Sequence, residues 1–514
     1  MKKIFYIAIA VLGLTATSCS EELMETYAPG ALTEETAIQT ADDLQLFLNN
    51  TYNGLTSRSE SEFVSIFTDE VGIGFENGGQ GINDDYVFFM TPQATAPDNL
   101  WAVNYFTIAR TNRVLDLATK LKPTTTADIN KINKIKAEAL TLRAYCHLRI
   151  LSYFTTDMKN PSALAGIISN KIYGIDDNDY PRNTNAEFYS FIHNDLDQAI
   201  TLYNGLPAAA FSNIYASKTF AQGLKARAYT YAGDYTNAET WANTVISTSG
   251  LSLSTYATYP SVFLTESNAS NVEVIFKLKR TNTQNAQASN LHNAWYNGSP
   301  SVAGAPWYEI SRALFNKLNT SDTRYRTLVN PNSTIDPNYA TAADVRNSDR
   351  LLINKHGGTL TAGAAPWAST ASNANNNDVK VMRLAEMYLI RAEARTAAGD
   401  LVGAATALKA LRDSRYSTAQ TLPVFANAQA AWKAILDERR IEFAFEGYRF
   451  IDLKRLGTLA NSGIDRNPAD YQSATANYPA GNPSNLPLTS YKWALPIPTS
   501  ETNVNSAIQQ NPGY

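Results

Sequence analysis

Cysteine is nearly missing from this chain: two in 514 residues, Cys19 and Cys146. No CxxC pair exists, so a zinc knuckle or a dithiol redox centre is excluded. Histidine is scarce too, with four residues and no HExxH. His147 and His193 fall on helical patterns and read as structural, whereas His292 and His356 lie in or beside a long irregular stretch and read as polar contacts. Also absent are GxSxG, Walker A and GxGxxG, the signatures that place a nucleophile or cradle a phosphate. Excess charge of one sign is lacking as well. Lys and Arg number 43 against 47 acidic residues, for a net charge of −4. Nucleic-acid binding needs a basic stripe, and no Lys/Arg-rich run occurs, so that partner is not expected. Asp176 to Glu187 starts like a calcium loop, but Pro181 stands where an EF-hand needs glycine. No EF-hand is expected; Asp177 and Asp179 could hold an adventitious ion, but no functional metal and no cofactor is expected.

What is plentiful is aromatic surface: 28 Tyr, 20 Phe and 7 Trp. The first residues also carry a signal. Lys2 and Lys3 precede an apolar run from Ile4 to Thr17, too short to span a bilayer and suited to a secretory leader. Ala16, Thr17 and Ser18 lead into Cys19, an arrangement that resembles a bacterial lipobox, with Cys19 as the lipidated first residue of the mature protein. No later apolar run is long enough to cross a membrane, so the membrane partner is reached through an N-terminal lipid anchor. Cys146 reads as a small buried apolar residue.

Apolar residues at helical spacing predict helices over Ala41–Leu55, Asn99–Leu121, Ala127–Phe154 and Thr184–Leu202, the last opened by a Thr184/Glu187 capping box. Asp69–Pro97, rich in Gly, Asn and Asp, predicts a loop with short strand pieces. A repeat follows. GLKARAYTYAGDYTNAETWANTVI (223–246) aligns with LIRAEARTAAGDLVGAATALKALR (389–412) at an offset of 166 residues. Small residues allow close helix approach and the Gly-Asp pair makes a tight turn, which is the tetratricopeptide (TPR) pattern. Between the copies lies an irregular insertion, with a strand predicted over Val272–Leu278 and a helix over Trp307–Leu318. A second irregular, Asn- and Pro-rich segment covers Ala460–Ser490.

Three stretches carry a family resemblance: VMRLAEMYLIRAEARTAAGD (381–400), LDERRIEFAFEGYRFIDLKRLG (436–457) and WALPIPTSETNVNSAIQQNPGY (493–514). They resemble the motifs of the SusD/RagB family in order along the chain, with Tyr448 where the family often has His and Phe450 where it often has Trp. YPRNTNAEFYSFIHNDLDQAI (180–200) and the 98–115 helix match more weakly. The resemblance implies a mostly α, SusD-like fold: about four TPR-type helical pairs as scaffold, with a long, irregular, loop-rich insertion holding minor β. The expected division is a signal peptide over 1–18, a lipidated tether over 19–40, an N-terminal helical region over 41–254, the insertion as ligand-binding lobe over 255–378, and a C-terminal region over 379–514. Read physically, Glu438, Arg439, Glu442, Glu446, Arg449, Asp452 and Arg455 alternate in sign and predict a salt-bridge lattice fixing helix–helix geometry.

The resemblance further implies function: an outer-membrane, surface-exposed lipoprotein that binds an oligosaccharide or polysaccharide and passes it to a SusC-like TonB-dependent transporter, which the TPR side contacts. No catalytic residue is expected. Sugars need flat aromatic faces and planar polar groups, and two irregular stretches supply them. FENGGQGINDDY (75–86) offers Phe75, Asn77, Asn83, Asp84 and Tyr86; the insertion offers Trp295, Tyr296 and Trp367. The remaining tryptophans, except the ambiguous Trp307, read as structural. Three other readings stay open: a RagB-like peptide receptor, a surface glycoside hydrolase using two carboxylates, and a structural TPR adaptor.

Overall fold

The computed structural model describes residues 34–514 apart from 56–58, 76, 78, 80, 81, 83, 175, 176, 178, 209, 265–271, 281–305, 344, 356–376, 472–477, 479 and 480. Eleven of its helices make the scaffold: α1 (Ala41–Gly54), α2 (Ser59–Phe67), α3 (Thr95–Lys120), α4 (Thr126–Phe154), α5 (Asn185–Asn204), α6 (Lys218–Ala232), α7 (Tyr235–Thr248), α8 (Leu384–Ala397), α9 (Leu401–Arg415), α10 (Ala428–Glu442) and α11 (Arg449–Ala460). Chain neighbours α3/α4, α6/α7, α8/α9 and α10/α11 pack as four pairs, and α5 packs on α4 and α6. The mostly α expectation and the count of pairs both hold.

The repeat explains its own geometry. Gly233 and Gly399 take left-handed backbone, with φ of 81° and 78°, which ends α6 or turns the chain just after α8. Asp234 and Asp400 then cap α7 and α9, accepting from the N–H groups of Asn237 and Gly403. The two copies are distant in sequence and neighbours in space, since α7 packs on α8. Inside α6, Gly223 leaves room for Met382, whose sulfur lies 2.4 Å from where a Cβ would stand. The Thr184/Glu187 capping box forms as predicted.

Two short antiparallel sheets complete the fold. Strand β1 (Val71–Ile73) pairs with β3 (Tyr308–Ile310), and β2 (Val274–Leu278) pairs with β4 (Val379–Arg383). The helix expected over Trp307–Leu318 is therefore corrected: its first part is β3, and only Arg312–Phe315 is helical. The apolar residues there satisfy either period, and pairing with β1 decides between them.

Two clusters make most of the core. The larger cluster fills the helical scaffold and includes Ile275, Phe276 and Leu278 of β2. A second lobe has its own cluster, in which Ile66, Val71, Ile73 and Tyr86 meet Tyr308, Ile310, Leu314, Leu328, Val329, Leu351, Ile353 and Phe445. So β2, inside the insertion, belongs to the scaffold, Tyr259, Val262, Phe263, Leu264 and Val274 form a small cluster of their own, and the second lobe also recruits the early loop and the α10–α11 turn.

Buried ion pairs join these parts. Glu442 meets Arg383 at 2.6 Å, Arg415 at 2.8 Å and Arg324 at 3.2 Å. Burial alone would push the Glu442 carboxyl up; Arg415 and Arg383 outweigh it and hold it well below the usual range. Glu446 pairs with Arg383 and Lys355, and Asp69 pairs with Arg449. Glu393 of α8 receives Arg439 and Arg455, which also bracket Asp452. The predicted lattice is present and reaches further than the α10–α11 pair, into the second lobe through Arg324, Lys355 and Asp69. A strap over residues 494–514 closes the scaffold. Asn511 donates to the carbonyls of Phe154 and Leu495, and Arg182 donates to Asn511.

Among the described residues, no helix is long and apolar enough to cross a membrane. Cys146 is buried, its thiol pushed up to about 12 by burial. His147 is buried and held neutral, lowered to about 3 by burial; its Nε2 accepts from the Ser169 N–H. Trp101, Trp432 and Trp493 are buried in the scaffold core, as expected.

Candidate functional site

The loop after β1 is held against β3 by polar groups of both segments. Gly74 N–H donates to the Trp307 carbonyl at 2.7 Å, and the Asn77 side-chain amide donates to the same oxygen at 2.7 Å. Asn77 Oδ1 in turn accepts from Gly79 N–H. A side chain at Gly74 would collide with the Pro306 carbonyl, 2.2 Å from the position of a Cβ, so this close approach needs glycine. Glu309, buried in β3, accepts from Phe75 N–H with one oxygen and from Leu351 N–H with the other. It thereby fixes Phe75 beside Arg350, whose guanidinium lies 4.1 Å from the Phe75 ring centroid. A guanidinium on an aromatic ring puts planar donors next to an apolar edge, the pairing that a sugar's hydroxyls and C–H face both use.

Around the same lobe stand further rings. Trp307 is half-buried against the lobe's core, as are Tyr471 and Tyr478, whose centroids are 4.7 Å apart. Their hydroxyls donate to the Ser484 and Pro483 carbonyls, which sets both rings. Phe89 is 56% exposed, displaced outward because Phe88 takes a left-handed φ of 58° and turns inward. Asp84 is exposed beside Asp85. Burial first, and then Asp84 and Glu62, push the Asp85 carboxyl up to about 7.

The expected site residues divide as follows. Phe75 and Asp84 lie at the surface of the second lobe. Asn77 and Tyr86 are corrected. Both are 0% exposed. Asn77 spends its amide on the Trp307 carbonyl and the Gly79 N–H. Tyr86 donates to the Asp470 carbonyl and packs on Tyr308, Tyr471 and Tyr478, with Arg466 4.1 Å from its ring. An aromatic with no exposed face offers a ligand nothing to stack on, so Tyr86 is the floor that supports the outer rings. Asn83, Trp295, Tyr296, Trp367 and the lipidation candidate Cys19 lie outside the described residues.

Sequence reasoning missed Tyr471, Tyr478 and Phe89 as site residues. The tyrosines sit in the second irregular segment, and that composition was the available signal. Trp307 was masked by the helix expected over it. The enclosed cavity between α4, α6 and the Glu446–Tyr448 turn is elsewhere and small, about 60 Å³. It suits a few waters among charged groups, not a sugar ring. Asp177 is taken up by Gly174 N–H and Asp179 by Ser506. Among the described residues no group of three His, Cys, Asp or Glu side chains could hold a metal ion.

Comparison with known proteins agrees with this architecture. Residues 292–514 match the profile of the SusD family, and residues 32–230 match one described as starch-binding and associating with the outer membrane. The chain is 23% identical to SusD-like protein P2 of Formosa agariphila over the whole length of both. Among solved structures, a SusD superfamily protein from Bacteroides thetaiotaomicron superposes with a TM-score of 0.75 at 23% identity, covering 92% of this chain and all of that one. A putative sugar-binding protein from Bacteroides vulgatus gives 0.70 at 23% identity, covering 93% and 100%. A laminarin-binding SusD-like protein gives 0.69 at 21% identity with the same coverage.

Proposed function

The chain belongs to the SusD/RagB family, and we propose that it is a surface receptor that captures an oligosaccharide on the second lobe and delivers it to a SusC-like TonB-dependent transporter. The observation that carries this reading is the half-exposed aromatic set, Phe75 under Arg350 with Trp307, Tyr471 and Tyr478, mounted on a buried aromatic floor. Rigid rings lose little freedom when a sugar lands on them, and the hydroxyl contacts come from Arg350 and Asp84. The reading is supported by the sugar- and laminarin-binding names of structural neighbours. Lipidation at Cys19 would anchor the receptor in the outer membrane, with residues 1–18 removed and 19–40 as tether. Insertion residues 255–378 and the early loop would shape the ligand surface, and the scaffold would face the transporter. The reaction is reversible binding, with no bond broken.

Calorimetric titration of the full-length protein in detergent against α- and β-glucans, fructans, xylans, chitin oligomers and a peptide digest tests it. Saturable binding to one glycan class, weakened roughly tenfold or more in Trp307→Ala, is the expected result. Binding to peptides alone would replace the glycan reading with a peptide receptor, and turnover of a glycan by the pure protein would overturn the non-enzymatic reading.

A further inference from the structure

A groove on the scaffold, sharing no residue with the second lobe, has a volume of about 250 Å³. Asn49 and Asn53 of α1 form one wall, Leu278 and Lys279 at the end of β2 another, and Tyr215 closes the third over Tyr52. Tyr215 belongs to the α5–α6 connection, whose Gly, Pro, Ala and Ser content gives it no rigidity of its own. Three hydrogen bonds nonetheless pin it. Lys277 N–H donates to the Asn213 carbonyl at 2.8 Å, Ala216 N–H donates to the Tyr52 hydroxyl at 2.9 Å, and the Tyr203 hydroxyl donates to the Ala216 carbonyl at 2.9 Å. Tyr52 is itself fixed, donating to Glu138 and packing on Phe276.

The result is an aromatic ring held half-exposed, edge-on to Tyr52 with centroids 5.7 Å apart and planes at 79°. Around it, polar groups are left over. Among the described residues the Tyr215 hydroxyl has no hydrogen-bond partner and the Lys279 ammonium is exposed without a carboxylate. The Asn49 side-chain oxygen accepts from the Gln45 amide at 3.1 Å. The groove walls contain no acidic side chain; the Lys134 ammonium, paired with Glu138 at 3.8 Å, lies 5.8 Å from the Tyr215 ring. A ring face, amides and an unpaired cation are the complement of a saccharide that carries a carboxylate.

We propose that this groove is a second saccharide site, for a uronic-acid unit: its C–H face lies on Tyr215, its hydroxyls meet the Asn49 amide and the Tyr215 hydroxyl, and its carboxylate meets Lys279. The proposal shares with the reading above only the premise that the ligand is a sugar. Titration of the full-length protein in detergent with an oligogalacturonate and, separately, with a neutral β-glucan oligosaccharide tests it, using Tyr215→Ala, Lys279→Glu and Trp307→Ala variants. The expected result is oligogalacturonate binding that falls tenfold or more in Tyr215→Ala and in Lys279→Glu, weakens with added salt, and is unchanged in Trp307→Ala. Wild-type protein that ignores the oligogalacturonate, or binding that is indifferent to Tyr215 and Lys279, overturns the proposal. If neutral glucan still binds and depends on Trp307, the second-lobe reading survives that loss. If oligogalacturonate binds through Tyr215 while no sugar depends on Trp307, the second-lobe reading fails and the groove stands. Lys279 is exposed and Tyr215 half-exposed, so unchanged thermal unfolding of both variants separates lost binding from lost folding.

Discussion

In the repeat, the contacts that set the geometry are short-range: Asp234 caps the helix it begins, and Asp400 does the same 166 residues on. In the second lobe the partners are remote. Asn77 reaches Trp307 across 230 residues, Glu309 reaches Phe75 across 234, and Tyr86 reaches Asp470 across 384. The scaffold packs long helices on one another, with α4 buried on every side from Ala137 to Leu148, whereas the second lobe has two three-residue strands and depends on ion pairs to stay attached. The difference teaches where this molecule is robust and where one side chain holds two parts together.

Removing Glu442 should break the comparison most sharply, because its three arginine partners come from β4, α9 and the second lobe. Glu442→Ala removes one carboxylate from each of three buried arginines that keep Glu273, Glu446, Asp322 or Glu438, and should cost about 3 kcal/mol in chemical denaturation. The same carboxyl sets a pH limit. Its folded pKa is depressed, so its contribution is complete above the unfolded carboxylate range and is lost as pH falls through the folded value.

Glu70 should act in the opposite sense. Burial pushes its carboxyl up to about 7, against the Ser65 hydroxyl and Phe445 N–H that it accepts from. The folded state therefore keeps a proton that the unfolded state has lost, and stability falls as pH rises between about 4.5 and about 7. Glu70→Gln should be close to neutral at pH 5 and gain about 1–3 kcal/mol at pH 8, read as a flatter dependence of unfolding on pH.

Within the repeat the effects should be smaller and alike. Asp234→Ala and Asp400→Ala should each cost about 1 kcal/mol, and the double variant should show whether two copies that pack through α7 and α8 respond independently. The smallest change should come from Phe75→Ala: about 0.5–1 kcal/mol of glycan binding, with little loss of fold, since its ring is half-exposed under Arg350.

How legible each part was in the sequence follows from the same contrast. The long scaffold helices predicted from periodicity, the Gly-Asp turns and the Thr184 capping box are local, and these were read correctly. The sign alternation from Glu438 to Arg455 was legible too, but its partners Arg383, Arg415, Arg324 and Asp69 were not, because pattern reasoning does not say which distant segment will arrive. Composition pointed to the early loop as aromatic and polar. It could not tell that Tyr86 faces inward and Phe89 outward, a choice made by the left-handed turn at Phe88. For Trp307 the apolar spacing of a helix coincided with that of a strand, and β1, more than two hundred residues away, settled it.

The strap has a consequence for the order of events. Asn511 closes onto the end of α4 across 357 residues and onto Arg182 across 329. Until that late segment has emerged, the carbonyls of Phe154 and Leu495 lack this donor, and the end of α4 is held through Arg182 and Lys454. Contacts of such sequence separation close late and make folding slow to complete.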